Sequence, residues 1–358
     1  MIGMNPLEKF DAFVSRLSKK DRCAVIHHTD ADGITAGVIA AKAIERITSK
    51  KPALILYPAP SEVTLSKKMV SLLRQKKIKK VIVVDLNVDQ EPKSIKEIER
   101  FAEMLILDHH SIQNDVNSKK TVMIKPQFFS KIEPSRYCAA KLVYDLFSRR
   151  ANLDDMKWLA VIGIYGDMAE KQWPEFIGSA KIPAETINAA GGLIVYARSF
   201  DEKNGPKKAF KAFYSAKSIG DVMKSSLSKY AEKIEAELAH YIENREKLAD
   251  FYPEKGLIIY EISPLYNIKS ELVNRLSREY YTDKTCIVIQ KKGKTASIGA
   301  RNQTGKVAMN ELLIKATAGI AGSSGGGHVQ AAGGNVPAKS VRTFKKRIFE
   351  SVPDSPYL

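Results

Sequence analysis

Residues 23–33 read CAVIHHTDADG: an apolar run ends in His27 and His28, followed by Asp30, Asp32 and Gly33, and the helical pattern GVIAAKAIERI comes next. Two later runs end in the same way. VIVV (81–84) is followed by Asp85, and MLIL (104–107) by Asp108, His109 and His110. Short runs apolar on both faces alternate with helical patterns from CAVIHH through ALILYP, VSLLRQ, VIVVDLN and MLILDHH to TVMIKP, which argues a buried parallel sheet built from βαβ units. PSRYCAAKLVYDLF and DMKWLAVIGIYGDM carry apolar residues at helical spacing and predict helices packed on that sheet.

Further along, the composition changes at FDEKNGPKKAFKAFYSAK, where Gly205 and Pro206 mark the start of an interdomain connection. Leu227, Ala231, Ile234, Leu238, Ile242 and Leu248 follow a stripe that predicts one long helix over residues 221–250, stopped by Pro253. GLIIYEI, TCIVIQ and TASIGARN then read as strands, with helices at SELVNRLSREYY and VAMNELLIKA. The expected architecture is α/β: a parallel-sheet N-terminal domain over 1–200, a basic connector and long linker helix over 201–252, and a smaller α/β C-terminal domain over 253–358.

A chain of 358 residues with 44% hydrophobic content can bury two cores. Lys and Arg number 57 against 40 Asp and Glu, and the formal charge of +17 favours a polyanionic partner such as nucleic acid. Cys23, Cys138 and Cys286 are widely separated and fit neither a disulfide framework nor a zinc site. Cys138 reads as buried filler rather than a nucleophile. No apolar run approaches the ~18 residues of a membrane span, and MIGMNPLEKF lacks the order of a signal peptide, so a cytoplasmic protein without membrane contact is expected.

Five of the six histidines sit in three short segments: His27 and His28, His109 and His110, and His328. Residues at the carboxyl ends of strands in an open parallel sheet project onto one edge, where ligands bind. Taken singly, Asp85 reads as a cap or turn residue and Asp167 as an exposed helical carboxylate. Together at one edge, carboxylates at i and i+2 beside imidazoles and a further Asp would repel one another unless cations neutralised them. Nitrogen among carboxylate oxygens favours Mn²⁺ or another first-row ion, with Mg²⁺ as the alternative. Two ions roughly 3.5 to 4 Å apart are the known arrangement for in-line phosphoryl hydrolysis.

The motifs HTDADG (28–33), VVDLN (83–87), DHH (108–110) and GIYGDM (163–168), in that order, resemble the DHH phosphoesterase superfamily, and Ser297, Arg301 and GGGHVQAAGG (325–334) resemble the domain usually fused to it. The resemblance implies one metal site of His28, Asp30 and Asp85 and another of Asp32, Asp85, His109 and Asp167, with Asp85 bridging. Asp108 and His110 would then lie behind the metals or against the substrate phosphate. The family often has Asn-Pro where this chain has Lys125 and Pro126, which puts the phosphate or base contact there in question but not the metals. Gly325, Gly326 and Gly327 fit a turn that offers N–H groups to a phosphate, with His328 and Arg301 beside it, or else a flexible loop.

Among family members the chain looks most like compact, Lys-rich RecJ-like nucleases of archaeal type, and 358 residues leave no room for the oligonucleotide-binding domain of bacterial RecJ. The expected activity is release of mononucleotides from single-stranded DNA or RNA, with 3′→5′ preferred over 5′→3′. Replication or repair proteins are the expected partners, and the oligomeric state stays open. Hydrolysis of short oligonucleotides, cyclic dinucleotides or pAp is the competing expectation, and an inactive replication scaffold is the alternative of another class. The basic run 207–217 interleaves Phe210, Phe213 and Tyr214 with lysines, as either a stacking surface for single strands or a helix with its aromatics in the core.

Overall fold

The computed structural model describes residues 4–59, 62 and 65–354; the first three residues of the opening segment and the last four of the expected C-terminal domain lie outside them. Two compact units divide the chain, Met1–Ala231 and Glu232–Leu358. In the first, β1 (Cys23–His27), β2 (Leu54–Leu56), β3 (Lys80–Val84), β4 (Glu103–Leu107) and β5 (Thr121–Ile124) pair in parallel in the order β2-β1-β3-β4-β5. Its helices are α1 (Pro6–Ser15), α2 (Ala31–Thr48), α3 (Lys67–Gln75), α4 (Pro92–Glu99), α5 (Ala139–Ser148), α6 (Lys157–Gly166), α7 (Pro174–Ala180), α8 (Ala184–Phe200), α9 (Gly205–Ser215) and α10 (Ile219–Met223), and α11 (Ser228–Glu243) crosses the division.

Both sheet faces are covered, which is why the strands read as continuous apolar runs rather than alternating ones. Val25, Ile82, Leu105 and Ile124 join one core with residues of α1, α2, α5, α6, α8 and α9. Ile26, Val83, Ile106 and Met123, one residue out of phase, meet α3 and α4 on the opposite face. The register aligns His27 with Val84, Val84 with Leu107 and Leu107 with Ile124. His28, Asp85, Asp108 and Lys125 therefore leave the sheet side by side along one edge. The chain runs from β1 outward to β2 and then back across to β3, so the order reverses between β1 and β3, where open α/β sheets take their ligands.

The expected connector is revised. Residues 205–215 form α9, which packs into the first core through Ala209 and the fully buried Phe213, so this stretch belongs to the first unit. The helix expected over 221–250 is interrupted as well. Between α10 and α11 the Ser225 hydroxyl accepts from the Leu227 N–H, and the Ser228 hydroxyl donates to the Ser225 carbonyl, so these side chains and tight backbone turns such as Ser228 N–H to the Ser225 carbonyl interrupt the helical ladder. After α12 (Arg245–Leu248), residues expected to end the helix form β6 (Ala249–Tyr252), because pairing with β7 (Leu257–Ile262) outweighs local helical preference.

The second unit is a mixed sheet in the order β10-β11-β9-β8-β7-β6, adding β8 (Thr285–Lys292), β9 (Thr295–Asn302), β10 (Ser324–Gly327) and β11 (Ala331–Pro337), with α13 (Lys269–Arg275), α14 (Met309–Thr317) and α15 (Val341–Ser351). β7 and β8 are its one parallel pair among the described residues. Gly325, Gly326 and Gly327 are not a turn: they form the edge strand β10 and pair with Gly334, Gly333 and Ala332. A Cβ on Gly325 would lie 2.7 Å from the Leu313 carbonyl oxygen, so glycine there lets α14 lie against the strand. The reversal falls one step later, where His328 N–H donates to the Ala331 carbonyl.

Phe213→Ala should destabilise the full chain by about 3 to 5 kcal/mol in urea titrations, while Lys211→Ala on the exposed side of α9 should stay within about 0.5 kcal/mol. Equal, small effects of the two would return 205–215 to the role of a connector.

Candidate metal centre

Asp30 caps α2: its Oδ1 accepts the Gly33 N–H at 2.9 Å, and its Oδ2 lies 2.6 Å from His28 Nδ1. Asp32, two residues further, is buried, and its two carboxylate oxygens accept the N–H groups of Ala139 and Ala140 at 2.7 and 2.8 Å. Those are the first amides of α5, so each of these two carboxylates sits at a helix N-terminus, Asp30 at that of α2 and Asp32 at that of α5, where partial positive charge suits it. Asp85 follows β3 with φ of 56°, a left-handed conformation uncommon for a residue with a Cβ and one that concentrates at functional sites.

His109 joins these groups from the end of β4. Its Nδ1 donates to the Pro134 carbonyl at 3.2 Å, which turns Nε2 toward the carboxylates, 3.3 Å from Asp85 and 3.4 Å from Asp167, as the nitrogen that would face a cation. Asp167 comes from a different place, the C-cap of α6. What carries it there is close packing: a Cβ on Gly163 would lie 2.4 Å from the Ala140 Cβ and 2.7 Å from Asp32 Oδ1, so α6 can abut α2 and α5 because that position has none. At a helix C-terminus the dipole opposes a carboxylate, and Asp167 Oδ2 is buried without a hydrogen-bond partner.

Ligand atoms of His28, Asp30 and Asp85 lie within 4.8 Å of one another, as do those of Asp32, His109 and Asp167, and those of Asp85, His109 and His110. The six residues expected to bind metal are thus brought together, with Asp85 shared between groups. Burial, then repulsion from Asp167 and Asp85, pushes the Asp32 carboxyl far up. Asp167 rises to about 7 through burial and the Asp85 and Asp30 charges, despite His109 nearby. Burial alone would lower His28, but Asp30 and then Asp85 carry it to about 11; Asp85 does the same for His109, to about 10. Without a cation, then, this cluster takes up protons to balance its carboxylates. An orphaned buried oxygen and a donor set of carboxylates with two imidazoles fit a divalent first-row cation, which would displace those protons.

Asp108 and His110 form a second layer. His110 Nδ1 donates to Asp108 Oδ1 at 2.7 Å, and its imidazole stays 46% exposed. Lys125, fully buried, lies 2.8 Å from Asp108 Oδ2 and 2.8 Å from Asp89 Oδ1, and also donates to Asn87 Oδ1 and the Ser111 carbonyl. Where the resembled family often has Asn before the proline, this chain has a structural cation that holds Asp108 in place. Sequence reasoning missed this, along with Asp89, although a lysine closing the buried run TVMIK was a usable signal. Cys138 lies fully buried beside the cluster, its thiol pushed up by burial and by the Asp32 and Asp167 charges, as expected of filler.

In the second unit, Arg301 Nε donates to Asn274 Oδ1 at 2.8 Å and Nη1 to the Ala300 carbonyl at 2.8 Å, while His328 is exposed at the β10–β11 reversal. The grouping of Arg301 and GGGH on one sheet is seen; the phosphate-facing turn is not.

Residues 22–164 match the family model described as DHH family, N-terminal domain, and residues 266–353 match the DHHA1 domain. An uncharacterised protein of Methanocaldococcus jannaschii is 30% identical over 149 residues, covering 40% of this chain and 32% of that protein. The chain therefore spans about a third of the length of this curated relative. The exonuclease RecJ bound to manganese superposes with a TM-score of 0.71 at 16% identity, covering 99% of this chain and 96% of that one. The DHH domain of a member of a ribosomal protein family gives 0.73 at 16% identity over 98% and 92%. At such identities the likeness is one of fold.

Lys125→Met removes one partner from two buried carboxylates and should cost about 3 to 5 kcal/mol at neutral pH by urea titration. Burial alone would raise Asp108, yet His110 and Lys125 hold it below the usual carboxylate range. The stability tied to that lowered value is present above the unfolded value of about 4 and is lost as pH falls through the folded one, so the gap between variant and parent should narrow in acid. A variant as stable as the parent at neutral pH would rule out this role.

Proposed function

The chain belongs to the DHH superfamily, and from that premise we propose that it is a metal-dependent phosphodiesterase that degrades single-stranded DNA or RNA from an end to mononucleotides, with 3′→5′ as the direction to test first. The observation that carries the reading is Asp85, whose carboxylate is within reach of both His28 and His109. Two divalent cations, Mn²⁺ before Mg²⁺, would be held by His28, Asp30 and Asp85 and by Asp32, Asp85, His109 and Asp167, and when bound supply Lewis-acid activation of water and neutralisation of the scissile phosphate.

His110 contributes from the protein side. The hydrogen bond to Asp108 raises the pKa of its imidazole and leaves Nε2 as the nitrogen free to donate to a phosphate oxygen. Asp108 orients that ring and is in turn held by Lys125. Substrate capture falls to the second unit in this reading. Arg301 has no hydrogen bond from Nη2 among the described residues, and with the edge strand Gly325, Gly326 and Gly327 and the exposed His328 it offers donors to phosphates.

The charge of +17 supports a long polyanion over a dinucleotide, which needs only a small basic pocket. Activity that falls off with strand length would instead favour short oligonucleotides, cyclic dinucleotides or pAp. An inactive replication scaffold has no use for the orphaned Asp167 oxygen and its neighbours. No helix among the described residues is long and apolar enough to cross a membrane, and three buried free cysteines agree with the reducing cytoplasm, where replication or repair proteins would be the partners.

Asp85→Ala should lose nearly all hydrolysis of end-labelled single strands while keeping its circular dichroism spectrum; EDTA should abolish parent activity and Mn²⁺ restore it. Near-normal turnover by the folded variant sinks the two-cation reading. Arg301→Ala and His328→Ala should retain Mn²⁺ but bind a labelled single strand less tightly, with about 1.5 to 3 kcal/mol lost for the arginine and less at high salt. Unchanged affinity for both would remove the second unit from substrate capture.

A further inference from the structure

α9 has two working faces. Ala209 and Phe213 point into the first core, whereas Lys207, Phe210, Lys211 and Tyr214, spaced i, i+3, i+4, i+7, line a cavity of about 510 Å³ whose other side is formed by Ile55, Leu56 and Tyr57 at the edge strand β2. The volume lies within the range of about 300 to 1,000 Å³ usual for small-molecule sites. Residue by residue the lining is apolar or basic: no carboxylate is among the groups that face the cavity. Lys51, Lys207 and Lys211 are exposed around it, and none of the three forms an ion pair among the described residues.

His27 contributes a polar group beneath this surface. It is fully buried, stacked 4.9 Å from the Phe210 ring at 17°, with Tyr57 at 5.8 Å. Its Nδ1 lies 2.6 Å from the His28 carbonyl oxygen, which can only accept, so Nδ1 carries the proton and Nε2 is an acceptor. That Nε2 has no hydrogen-bond partner. A buried, unpartnered acceptor is a group that a ligand donor would satisfy.

We propose that this cavity on the β2 edge, lined by His27, Tyr57, Phe210 and Tyr214 and rimmed by Lys51, Lys207 and Lys211, binds a nucleoside monophosphate unit outside the metal centre. Aromatic and aliphatic walls accept a flat base, and the unpaired ammonium groups accept its phosphate. A cation is repelled by the rim; a bare inorganic anion leaves the apolar walls unused. The unit is either a free mononucleotide or one nucleotide of a strand, and this choice of ligand rests on the phosphodiesterase reading above, although the cavity itself does not.

The test is calorimetric titration of AMP into the full chain in EDTA, with adenosine and inorganic phosphate as controls. AMP should bind about tenfold or more tighter than either control, because each supplies one half of the recognition. The double variant Lys207→Glu, Lys211→Glu, made at two exposed residues outside any ion pair, and the cavity-filling Ile55→Trp should each weaken AMP by about tenfold or more. Asp85→Ala should leave AMP binding unchanged. AMP binding that survives both cavity variants, or that disappears in Asp85→Ala, or that is matched by phosphate alone, overturns the proposal. A fifteen-residue oligoadenylate that displaces AMP identifies the occupant as a strand nucleotide, and one that does not identifies it as a free one; both outcomes keep the site. Because the nuclease reading is judged by hydrolysis in Asp85→Ala, either idea can fail while the other stands.

Discussion

Carboxylate repulsion at one edge of a parallel sheet is the constraint around which the first unit is organised. Asp30, Asp32, Asp85 and Asp167 converge there with two imidazoles, and burial first, then the neighbouring carboxylates, push Asp32 and Asp167 up, so the arrangement resists full ionisation. Three of the four carboxylates are held by something specific, and Asp167 keeps a buried oxygen without a hydrogen-bond partner. The Gly33 amide holds Asp30, the Ala139 and Ala140 amides hold Asp32, and a left-handed backbone turns Asp85 off β3. A fold that stabilised only itself would have little reason to gather such groups, because each costs solvation that burial does not return.

The packing behind the edge follows from the same demand. α2 must begin immediately beside β1, and a Cβ on Gly33 would lie 2.5 Å from that of His28, so the strand-to-helix turn is as tight as the backbone allows. Gly163 performs the corresponding service for α6. Lys125 shows a third solution, an ion pair network placed under the site: one buried ammonium group spans Asp89 and Asp108, and through Asp108 it holds His110. Such a network fixes orientation more than it adds stability, since the charges were costly to bury in the first place.

Much of this was legible in the sequence. Strand ends carrying Asp and His, separated by helical patterns, identify the edge, and the six proposed ligands His28, Asp30, Asp32, Asp85, His109 and Asp167 follow from the motifs. Less was legible toward the end of the first unit. The spacing of 207–217 was equally consistent with a core helix and a stacking surface, and the structure uses both, with Phe213 in the core, Phe210 buried between core and cavity, and Tyr214 on the cavity wall. The glycine run suggested a turn because glycine permits one; here it permits close approach of α14 to an edge strand.

The sequence by itself determined which residues could stand at the sheet edge, because strand periodicity and the position of a run's last apolar residue are local properties of the chain. Tertiary structure decided the rest: the register that sets His28, Asp85, Asp108 and Lys125 abreast, the arrival of Asp167 from α6, the burial of Lys125, and the folding of α9 into the first unit. These depend on which distant surfaces meet and how closely. Local pattern encodes the polarity of a surface, whereas the partner of that surface is fixed by packing contacts summed over the whole core.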